Sequence, residues 1–573
     1  MLRYKISVKN PTSHYIDVAL TIDNITSTTL DLQLPAWRPG RYELGNFAKN
    51  IKQFQAFDDS GNNLNFSKST KDLWHFPAIT SQTVTVTYSY YTSEINAGNC
   101  YADEYQLYVN PVHLCMYVPN QINEQHVVEL DIPDNYKIAT SLAVNNKTLT
   151  AINFDELADS PFMASSTIQS DSFEINGITF WLHFNGECKP DFGKIKSDFI
   201  KFTKTQLNFW GDFPVTEYHY LFQILPFKMY HGVEHQKSTV IAIGPGYAIN
   251  KGSVYEDVLG VSCHELFHTW NIKYIRPIEM LPYDYSKENY ARTGFVYEGF
   301  TTYYGDALLY TSGVFTTEQY FDTLQERLVK HFHNYGRFNL SVANSSWETW
   351  LDGYVPGAPY RKTSIYDEGN LVAFMLDVLI MKCSNNTYGL KNVCQELYNE
   401  FGKKQKGYSE HDIRVLCEKY TGKSLHPFFD AYVFGTENFE PQLQESFDYL
   451  GWEFNRKQST HINEAEFGFK VIDNGHAKKV TLVAPNSPSW QAGLSIGDDI
   501  IAVNNMALRN DLNEWLTYFN TSESIEITVL CNQIVKTITL NKVKNDETYF
   551  DSFELKLTSS QQPNYLKWME LNS

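Results

Sequence analysis

The spacing of apolar residues changes its period twice along this 573-residue chain, and this divides the chain into three stretches. Up to about residue 250, segments such as YKISVKN and HYIDVALTID alternate with period two, which predicts β-strands. From residue 252 to about residue 440, apolar residues recur near every 3.6 positions, which predicts helices. Alternation returns after about residue 460. Several domains are therefore expected, since a chain of this length exceeds one hydrophobic core.

These changes of period predict a multidomain α+β protein. Residues 1–170 are expected to form an all-β domain resembling a β-sandwich. Residues 171–450 are expected to form a second domain, with strands to about residue 250 and helices beyond. Residues 460–545 are expected to form a small third domain, followed by an extension over residues 546–573. Within the first domain, the Trp37-Arg38-Pro39-Gly40 run is expected to be a purely structural turn, as most Pro-Gly turns are.

Charge and hydropathy exclude several classes of protein. The formal net charge is −19, and so acidic a surface repels nucleic acid and anionic lipid. No apolar run is long enough for a membrane span. The N-terminus alternates polar and apolar residues and lacks the apolar core of a signal peptide, so a cytoplasmic location is expected.

A metal-binding pattern begins at His264. The segment His264-Glu265-Leu266-Phe267-His268 fits H-E-x-x-H inside a helical stretch. Positions i and i+4 share one face of a helix, so both imidazoles can reach one ion, while Glu265 can be aimed at the attacking water. Two neutral imidazoles favour zinc over magnesium or calcium. The alternative is a chance copy on a solvated helix, but the apolar residues in and before the motif predict a buried helix.

A catalytic zinc site needs a third protein ligand and one open position. Glu298, in the segment Tyr297-Glu298-Gly299-Phe300-Thr301, is the candidate, because it opens another predicted helix and can face the first one. Histidine, histidine and glutamate form a common catalytic ligand set for one zinc ion. Asp306, further along the same helix, is expected either to orient a ligand imidazole or to serve at the surface.

Two further motifs resemble elements of the gluzincin aminopeptidases. His231-Gly232-Val233-Glu234-His235 resembles the strand that pairs with substrate backbone there and whose glutamate binds the α-amine. This resemblance implies substrate binding by Gly232, Val233 and Glu234, whereas the alternative is a solvent-exposed glutamate at a strand end.

The second of these motifs lies downstream. Ser364-Ile365-Tyr366-Asp367-Glu368-Gly369 resembles the element whose tyrosine donates a hydrogen bond to the oxyanion, which implies a catalytic role for Tyr366. Glu368 stands where that element has lysine, which puts the local electrostatics in doubt, and a chance placement of Tyr366 is the alternative.

The order of these motifs along the chain resembles the PDZ-containing glycyl aminopeptidase family of gluzincin metallopeptidases. The resemblance implies a thermolysin-like, mainly helical catalytic domain over residues 171–450 and a PDZ-like domain over residues 460–545. In the latter, Ser487-Pro488-Ser489-Trp490-Gln491-Ala492-Gly493-Leu494 is close to a PDZ pattern, and Phe467-Gly468-Phe469 is a candidate carboxylate-binding loop. A docked, non-binding PDZ fold is the alternative to one that takes peptide C-termini.

The expected activity is zinc-dependent hydrolysis of the first peptide bond of peptides with a free N-terminus. The resemblance further implies a preference for small first residues, glycine and alanine foremost. One alternative is a gluzincin endopeptidase or oligopeptidase, in which Glu234 does not bind an amine. Another is a PDZ-type peptide-binding protein with an inert metal site, against which the intact set of ligands and base argues.

Overall fold

The computed structural model describes residues 1–355, 357–473, 475, 477–542, 548–560 and 562–573. Residues 543–547 contain the expected boundary between residues 460–545 and 546–573, so that boundary lies outside the described residues. Within the described part of the chain, no helix is both long and apolar enough to cross a membrane.

Period-two alternation builds the β-rich N-terminal region. In the first strand, Leu2, Tyr4 and Ile6 point into the core and the residues between them point out. The strands are β1 (Leu2–Ser7), β2 (Tyr15–Ile22), β3 (Leu30–Gln33), β4 (Ile51–Phe57), β5 (Ser67–Lys68), β6 (Leu73–Phe76), β7 (Val84–Tyr91), β8 (Tyr101–Ala102), β9 (Gln106–Val109), β10 (His126–Asp131), β11 (Lys137–Thr140), β12 (Ala143–Asn145), β13 (Thr148–Ala151) and β14 (Phe162–Ser165). The short helices are α1 (Pro111–Leu114) and α2 (Phe154–Ala158).

Three sheets share the core of this region. The largest has the strand order β12-β13-β10-β1-β2-β7-β4, in which β1 and β10 are parallel and the other pairs are antiparallel. The smaller sheets have the orders β11-β14-β9-β8 and β3-β6-β5. The region is β-rich, as the alternation predicts.

A mixed sheet follows, with the strand order β15-β16-β17-β19-β18. Its elements are β15 (Gln169–Ile175), β16 (Ile178–Asn185), α3 (Phe192–Trp210), β17 (Glu217–Ile224), β18 (Met229–Glu234) and β19 (Ser238–Gly244). β17 runs parallel to β16 and β19, whereas β18 is antiparallel to β19 and forms an edge. The expectation of strands alone up to residue 250 is wrong at α3. This 19-residue helix is capped by Asp191 and buries one face, with Ile195, Phe199 and Phe202 inside.

The helical block covers this sheet and supplies most of the second core. Its helices are α4 (Gly252–Phe267), α5 (Thr301–Thr311), α6 (Thr317–His333), α7 (Val342–Asp352), α8 (Asp367–Cys383), α9 (Leu390–Leu397), α10 (Glu410–Thr421), α11 (His426–Tyr432) and α12 (Glu440–Leu450). Two π-helical segments, Phe295–Phe300 and Tyr398–Gly402, adjoin α5 and α9. Short 3-10 turns lie at Pro11–Ser13, Phe47–Asn50, Pro119–Gln121, Gly246–Ala248, Ile278–Met280 and Tyr335–Phe338.

The C-terminal part holds a smaller sheet with its own core. Strand order is β21-β22-β23-β25-β26, with β24 beside β23. Its elements are α13 (Ile462–Ala465), β21 (Phe469–Asp473), β22 (Lys478–Val483), α14 (Pro488–Ala492), β23 (Asp499–Val503), β24 (Met506–Ala507), α15 (Leu512–Tyr518), β25 (Ser524–Cys531) and β26 (Ile534–Asn541).

The chain then returns to the helical block. β20 (Trp452–Lys457) pairs with β27 (Ser552–Leu557), and α16 (Pro563–Leu571) packs into the second core. Trp568 donates to Tyr303 Oη at 2.9 Å and to Asp377 Oδ2 at 3.1 Å. The last residues therefore stabilise the block that carries the metal motif.

Candidate metal centre and substrate cleft

The two histidines of the H-E-x-x-H motif meet at the C-terminal end of α4. His264 lies in its last turn and His268 caps it, and their Nε2 atoms are 3.1 Å apart. His268 is 1% exposed, whereas the side chain of His264 retains 19% exposure. His268 is thus enclosed by the protein, while His264 remains partly accessible to solvent.

Glu298 reaches this pair from the π-helical segment Phe295–Phe300. Its Oε2 lies 3.3 Å from His268 Nε2 and 3.9 Å from His264 Nε2. The wider turn of a π segment re-aims a side chain and is frequent at functional sites. Gly299 makes the packing possible, since a Cβ there would lie 2.5 Å from the Cα of Gly369 in α8.

The donor atoms fit a tetrahedral divalent ion. Ligand atoms about 2.0–2.1 Å from a tetrahedral zinc lie roughly 3.3–3.4 Å from one another. The donor atoms of His264, His268 and Glu298 have separations close to this value. The backbone oxygen of Asn271 accepts from His268 Nδ1 at 3.0 Å, which leaves the lone pair of Nε2 for a metal. His264, His268 and Glu298 form a potential metal-binding group, as the sequence predicts for residues so spaced.

The electrostatics of the cluster favour a bound cation. Burial would lower the pKa of His268, but the nearby Glu298 carboxylate outweighs it and raises that pKa to about 9. Burial, followed by the charge of His268, lowers the pKa of His264 well below its usual range. Glu298 has a raised pKa because it is buried, although His268 opposes the shift.

Glu265 lies between the histidines and the edge strand β18. Its Oε2 is buried and has no hydrogen-bond partner among the described residues. Burial raises the pKa of Glu265 well above its usual range; His268 lowers it, while Glu234 and Glu298 raise it further. A buried carboxylate with a free oxygen and a raised pKa is suited to accepting a proton.

Strand β18 carries the three residues expected to bind substrate. At Gly232, an added Cβ would lie 2.1 Å from Glu265 Oε1, so a larger residue would displace the Glu265 side chain. Val233 is buried, and among the described strands its strand pairs with β19 alone. Glu234 is 4% exposed, and its Oε1 is buried with no partner in the described structure. It is therefore not the solvent-exposed strand-end residue of the alternative interpretation.

The position of Glu234 is fixed by the two residues that follow it. Asp159 accepts from the backbone amide of Gln236 at 2.7 Å and lies 3.2 Å from His235 Nδ1. Lys273 donates to the same carboxylate at 2.8 Å with a fully buried side chain. Burial would raise the pKa of Asp159, but Lys273 and His235 together lower it below its usual range.

Tyr366 lies at the start of α8, and its hydroxyl is 3.2 Å from that of Tyr354. Burial, then the charge of Glu298, raises its pKa well above the usual range, so the hydroxyl stays protonated and able to donate.

Glu368, which stands in place of a lysine, contacts His331 Nδ1 at 2.7 Å. Asp306 forms an ion pair with Arg327 at 3.6 Å, and no hydrogen bond joins it to a ligand imidazole in the described part of the chain.

The Trp37-Arg38-Pro39-Gly40 turn packs against the candidate site, a contact that the sequence did not predict. Gly40 has φ +83°, and a Cβ on it would lie 2.4 Å from Glu234 Oε2. Two residues on, Tyr42 donates to Glu298 Oε1 at 2.9 Å. Trp37 anchors the turn by donating to the Asp284 carbonyl at 2.7 Å.

The sequence does not predict that these residues of the N-terminal region contact the site, and the reason is physical. They lie more than 190 residues before the motifs that they touch, and neither periodicity nor spacing predicts contacts between distant segments. The only local signal is the Pro-Gly pair, which predicts a turn but not what the turn contacts.

Two family models match this chain. The M61 N-terminal domain matches residues 3–166, and the M61 glycyl aminopeptidase model matches residues 257–372. Among solved structures, an aminopeptidase N family protein from Idiomarina loihiensis superposes with a TM-score of 0.90 and 26% identity, covering 99% of this chain and 100% of its own.

Other comparisons are more distant. An M1 zinc metallopeptidase from Deinococcus radiodurans gives a TM-score of 0.48 at 12% identity over 76% of this chain and 93% of its own. A comparison with curated proteins finds no sequence match. The matches to the M61 N-terminal and M61 glycyl aminopeptidase models and the full-length structural likeness, on top of the His264, His268 and Glu298 cluster, identify this chain as a metallopeptidase similar to the M61 glycyl aminopeptidases.

Proposed function

We propose that this protein is a zinc-dependent aminopeptidase that hydrolyses the first peptide bond of peptides with a free N-terminus. The observation that carries the proposal is the buried carboxylate of Glu234. It has an unpartnered oxygen and lies beside the metal cluster, so that Glu234, Glu265 and His268 offer ligand atoms within 4.8 Å of one another. A buried anion without a partner is costly, and a substrate ammonium supplies the missing charge.

Binding is proposed to use the free edge of β18. A peptide extended along this edge would pair with the backbone near Gly232 and Val233, while its ammonium binds Glu234. The ammonium would then lie at a fixed distance from the metal ligands, which places only the first peptide bond at the reacting centre. Blocking the amine removes this anchor, which separates an aminopeptidase from an endopeptidase.

The proposed chemistry assigns one task to each remaining side chain. Zinc held by His264, His268 and Glu298 would polarise the scissile carbonyl and acidify the attacking water. Glu265 accepts the proton of that water and passes it to the leaving nitrogen. Tyr366, kept protonated, donates a hydrogen bond to the developing oxyanion. Tyr42 and the Asn271 carbonyl hold Glu298 and His268 in orientation.

A preference for small first residues, glycine and alanine foremost, is part of the proposal. It is supported by the glycyl aminopeptidase model that matches residues 257–372. It is also supported by Gly40, whose main chain packs directly against the Glu234 carboxylate. This packing limits the room for a first side chain next to the substrate amine that Glu234 is proposed to bind.

The test compares glycyl, alanyl and leucyl anilides and peptides, each with a free and an acetylated N-terminus. We expect turnover of the free forms only, fastest for glycine and alanine, with loss on chelation and recovery with zinc. Equal cleavage of acetylated peptides would favour the endopeptidase alternative. A zinc-loaded protein that cleaves none of them would favour the inert binding protein.

Residues 460–545 are proposed to be a PDZ-like domain. Supporting features are the edge strand β21, the buried Phe467 and Phe469, and Gly468 with φ +71° between them. Peptide C-termini are the ligands that such a loop would take. Titration with a peptide bearing a free or an amidated C-terminus distinguishes a binding domain from one that only supports the catalytic block.

A further inference from the structure

A cavity of about 510 Å³ opens in the N-terminal region next to the turn that contacts Glu234. The charged side chains in its wall are Arg38, Arg41, Lys49, Glu43 and Glu94. Arg41 and Glu43 form an ion pair with each other. The remaining charged side chains of the wall are the cations Arg38 and Lys49 and the carboxylate Glu94. An excess of positive charge is unusual in a chain whose net charge is −19, so this cavity differs from the general surface.

Arg38 is the buried member of this wall. It is 4% exposed, and no carboxylate lies within 4.0 Å of its guanidinium among the described residues. The hydrogen bond that its side chain makes is a long one, from Nη1 to the carbonyl of the adjacent Pro39 at 3.3 Å. A guanidinium offers five N–H donors and a full charge, and a buried one is normally paired with an anion.

His113 contributes a buried nitrogen without a hydrogen-bond partner to the same wall. Its ring stacks on Phe47 with the centroids 3.9 Å apart and lines the same cavity. The Nε2 atom is buried and lacks a hydrogen-bond partner within the described residues. A buried guanidinium without a carboxylate partner and a buried imidazole nitrogen without a hydrogen-bond partner, both in the wall of one cavity, indicate a missing ligand.

We propose that this cavity binds an anionic group, either a carboxylate or a small inorganic anion, held by the Arg38 guanidinium with His113 beside it. A carboxylate would complete the bidentate pairing that Arg38 lacks. The group has two sources: a free anion from solution, or an acidic side chain or C-terminus of a bound peptide. Arg38 also interacts electrostatically with Glu234. An anion bound at Arg38 would offset the positive charge of the guanidinium and so strengthen the attraction of Glu234 for a substrate ammonium.

Binding is measured on the zinc-loaded protein without any peptide, so the result does not depend on the proposed activity. Acetate and phosphate are titrated separately in a zwitterionic buffer by calorimetry and thermal shift. We expect saturable binding to the unmodified protein, at least about tenfold weaker binding to Arg38→Gln, and intermediate binding to Arg38→Lys. An anion bound at the metal would persist in Arg38→Gln, so dependence on Arg38 identifies the cavity.

Arg3→Gln is the matched control, because Arg3 is 48% exposed, lies in the same region and pairs with Asp23. It should bind anions as the unmodified protein does. Should Arg38→Gln fail to fold, His113→Phe is measured instead with the same expected loss. Equal binding curves for the unmodified protein and a folded Arg38→Gln, or no saturable binding to either probe, overturn the proposal.

Peptide pairs that differ only by glutamate and glutamine then identify the source. If the peptide supplies the anion, the glutamate member has the lower KM, acetate competes with it, and Arg38→Gln abolishes the difference. If a free anion binds, acetate changes the KM of both members equally and only when Arg38 is present. Either pattern supports an anion-binding site at Arg38 in this cavity.

Discussion

The hydroxyl of Tyr42 donates a 2.9 Å hydrogen bond to Glu298 Oε1, so the N-terminal region contributes directly to the orientation of a candidate metal ligand. Both residues are buried. The bond occupies one carboxylate oxygen and leaves Oε2 facing the two histidines. Partners of this kind fix the orientation of ligands and are as much part of a metal site as the ligands themselves.

Replacing Tyr42 by phenylalanine should weaken zinc binding by about 10–100-fold, because Glu298 loses the donor that orients it. Zinc affinity is measured by competition with a chromogenic chelator. Tyr105→Phe is the control, since Tyr105 is 70% exposed. Unchanged affinity in Tyr42→Phe would show that the π-helical segment alone positions Glu298.

Replacing Glu265 by glutamine should lower kcat by about 10²–10⁴-fold and leave zinc content unchanged, since the amide cannot accept a proton. Glu256, exposed on the same helix, provides the control Glu256→Gln. Metal analysis and turnover are measured on the same samples. Near-normal turnover with zinc bound would refute the assignment of Glu265 as the base.

Replacing Glu234 by glutamine should raise KM for free-amine substrates by roughly tenfold or more, since the ammonium loses its countercharge. Glu174→Gln is the control on the opposite edge strand, β15, of the same sheet. The ratio of cleavage of free to acetylated substrates should fall in Glu234→Gln. If this ratio does not change, the amine binds elsewhere.

Replacing Gly232 by alanine should abolish most activity while the protein still folds. The added methyl would lie 2.1 Å from Glu265 Oε1 and 2.6 Å from Val261 Cγ2, so the base must move. A displacement of about 1 Å costs on the order of 10²-fold in rate. Gly260→Ala on α4 is the control, because its Cβ meets open space. Thermal unfolding and kcat are compared for the two variants.

Replacing Asp159 by asparagine should destabilise the protein at neutral pH by about 3–5 kcal/mol, since the buried Lys273 loses its partner. The folded pKa of Asp159 lies below its ordinary 3.8, so its stabilising contribution is complete above that pH. The contribution is lost as the pH falls below 3.8 toward the folded value.

Urea unfolding from pH 3 to pH 7 checks this prediction. The difference between the unmodified protein and Asp159→Asn should be largest at pH 7 and should shrink at the acid end of the range. Asp131→Asn, at a side chain that is 63% exposed, is the control and should leave the pH dependence as it is in the unmodified protein. A difference of constant size at every pH would show that the ionisation of Asp159 contributes nothing.

The sequence alone predicted the histidine pair of the candidate metal site, because the geometry of that pair is local. The i, i+4 spacing of His264 and His268 sets both rings on one helix face regardless of what surrounds the helix. The β-rich N-terminal region followed from alternation. The helix α3 was missed although Ile195, Phe199 and Phe202 keep helical spacing, because the elements on both sides of it are strands.

Only the tertiary structure decided which distant residues complete the site. Tyr42, Gly40 and Arg38 reach Glu298, Glu234 and the anion cavity because the N-terminal sheets dock against the helical block, with Trp37 buried between them. Such contacts depend on long-range packing and chain topology, which leave no fixed spacing in the sequence. The close approach of Gly232 to Glu265 has the same origin, since a strand and a helix far apart in sequence meet there.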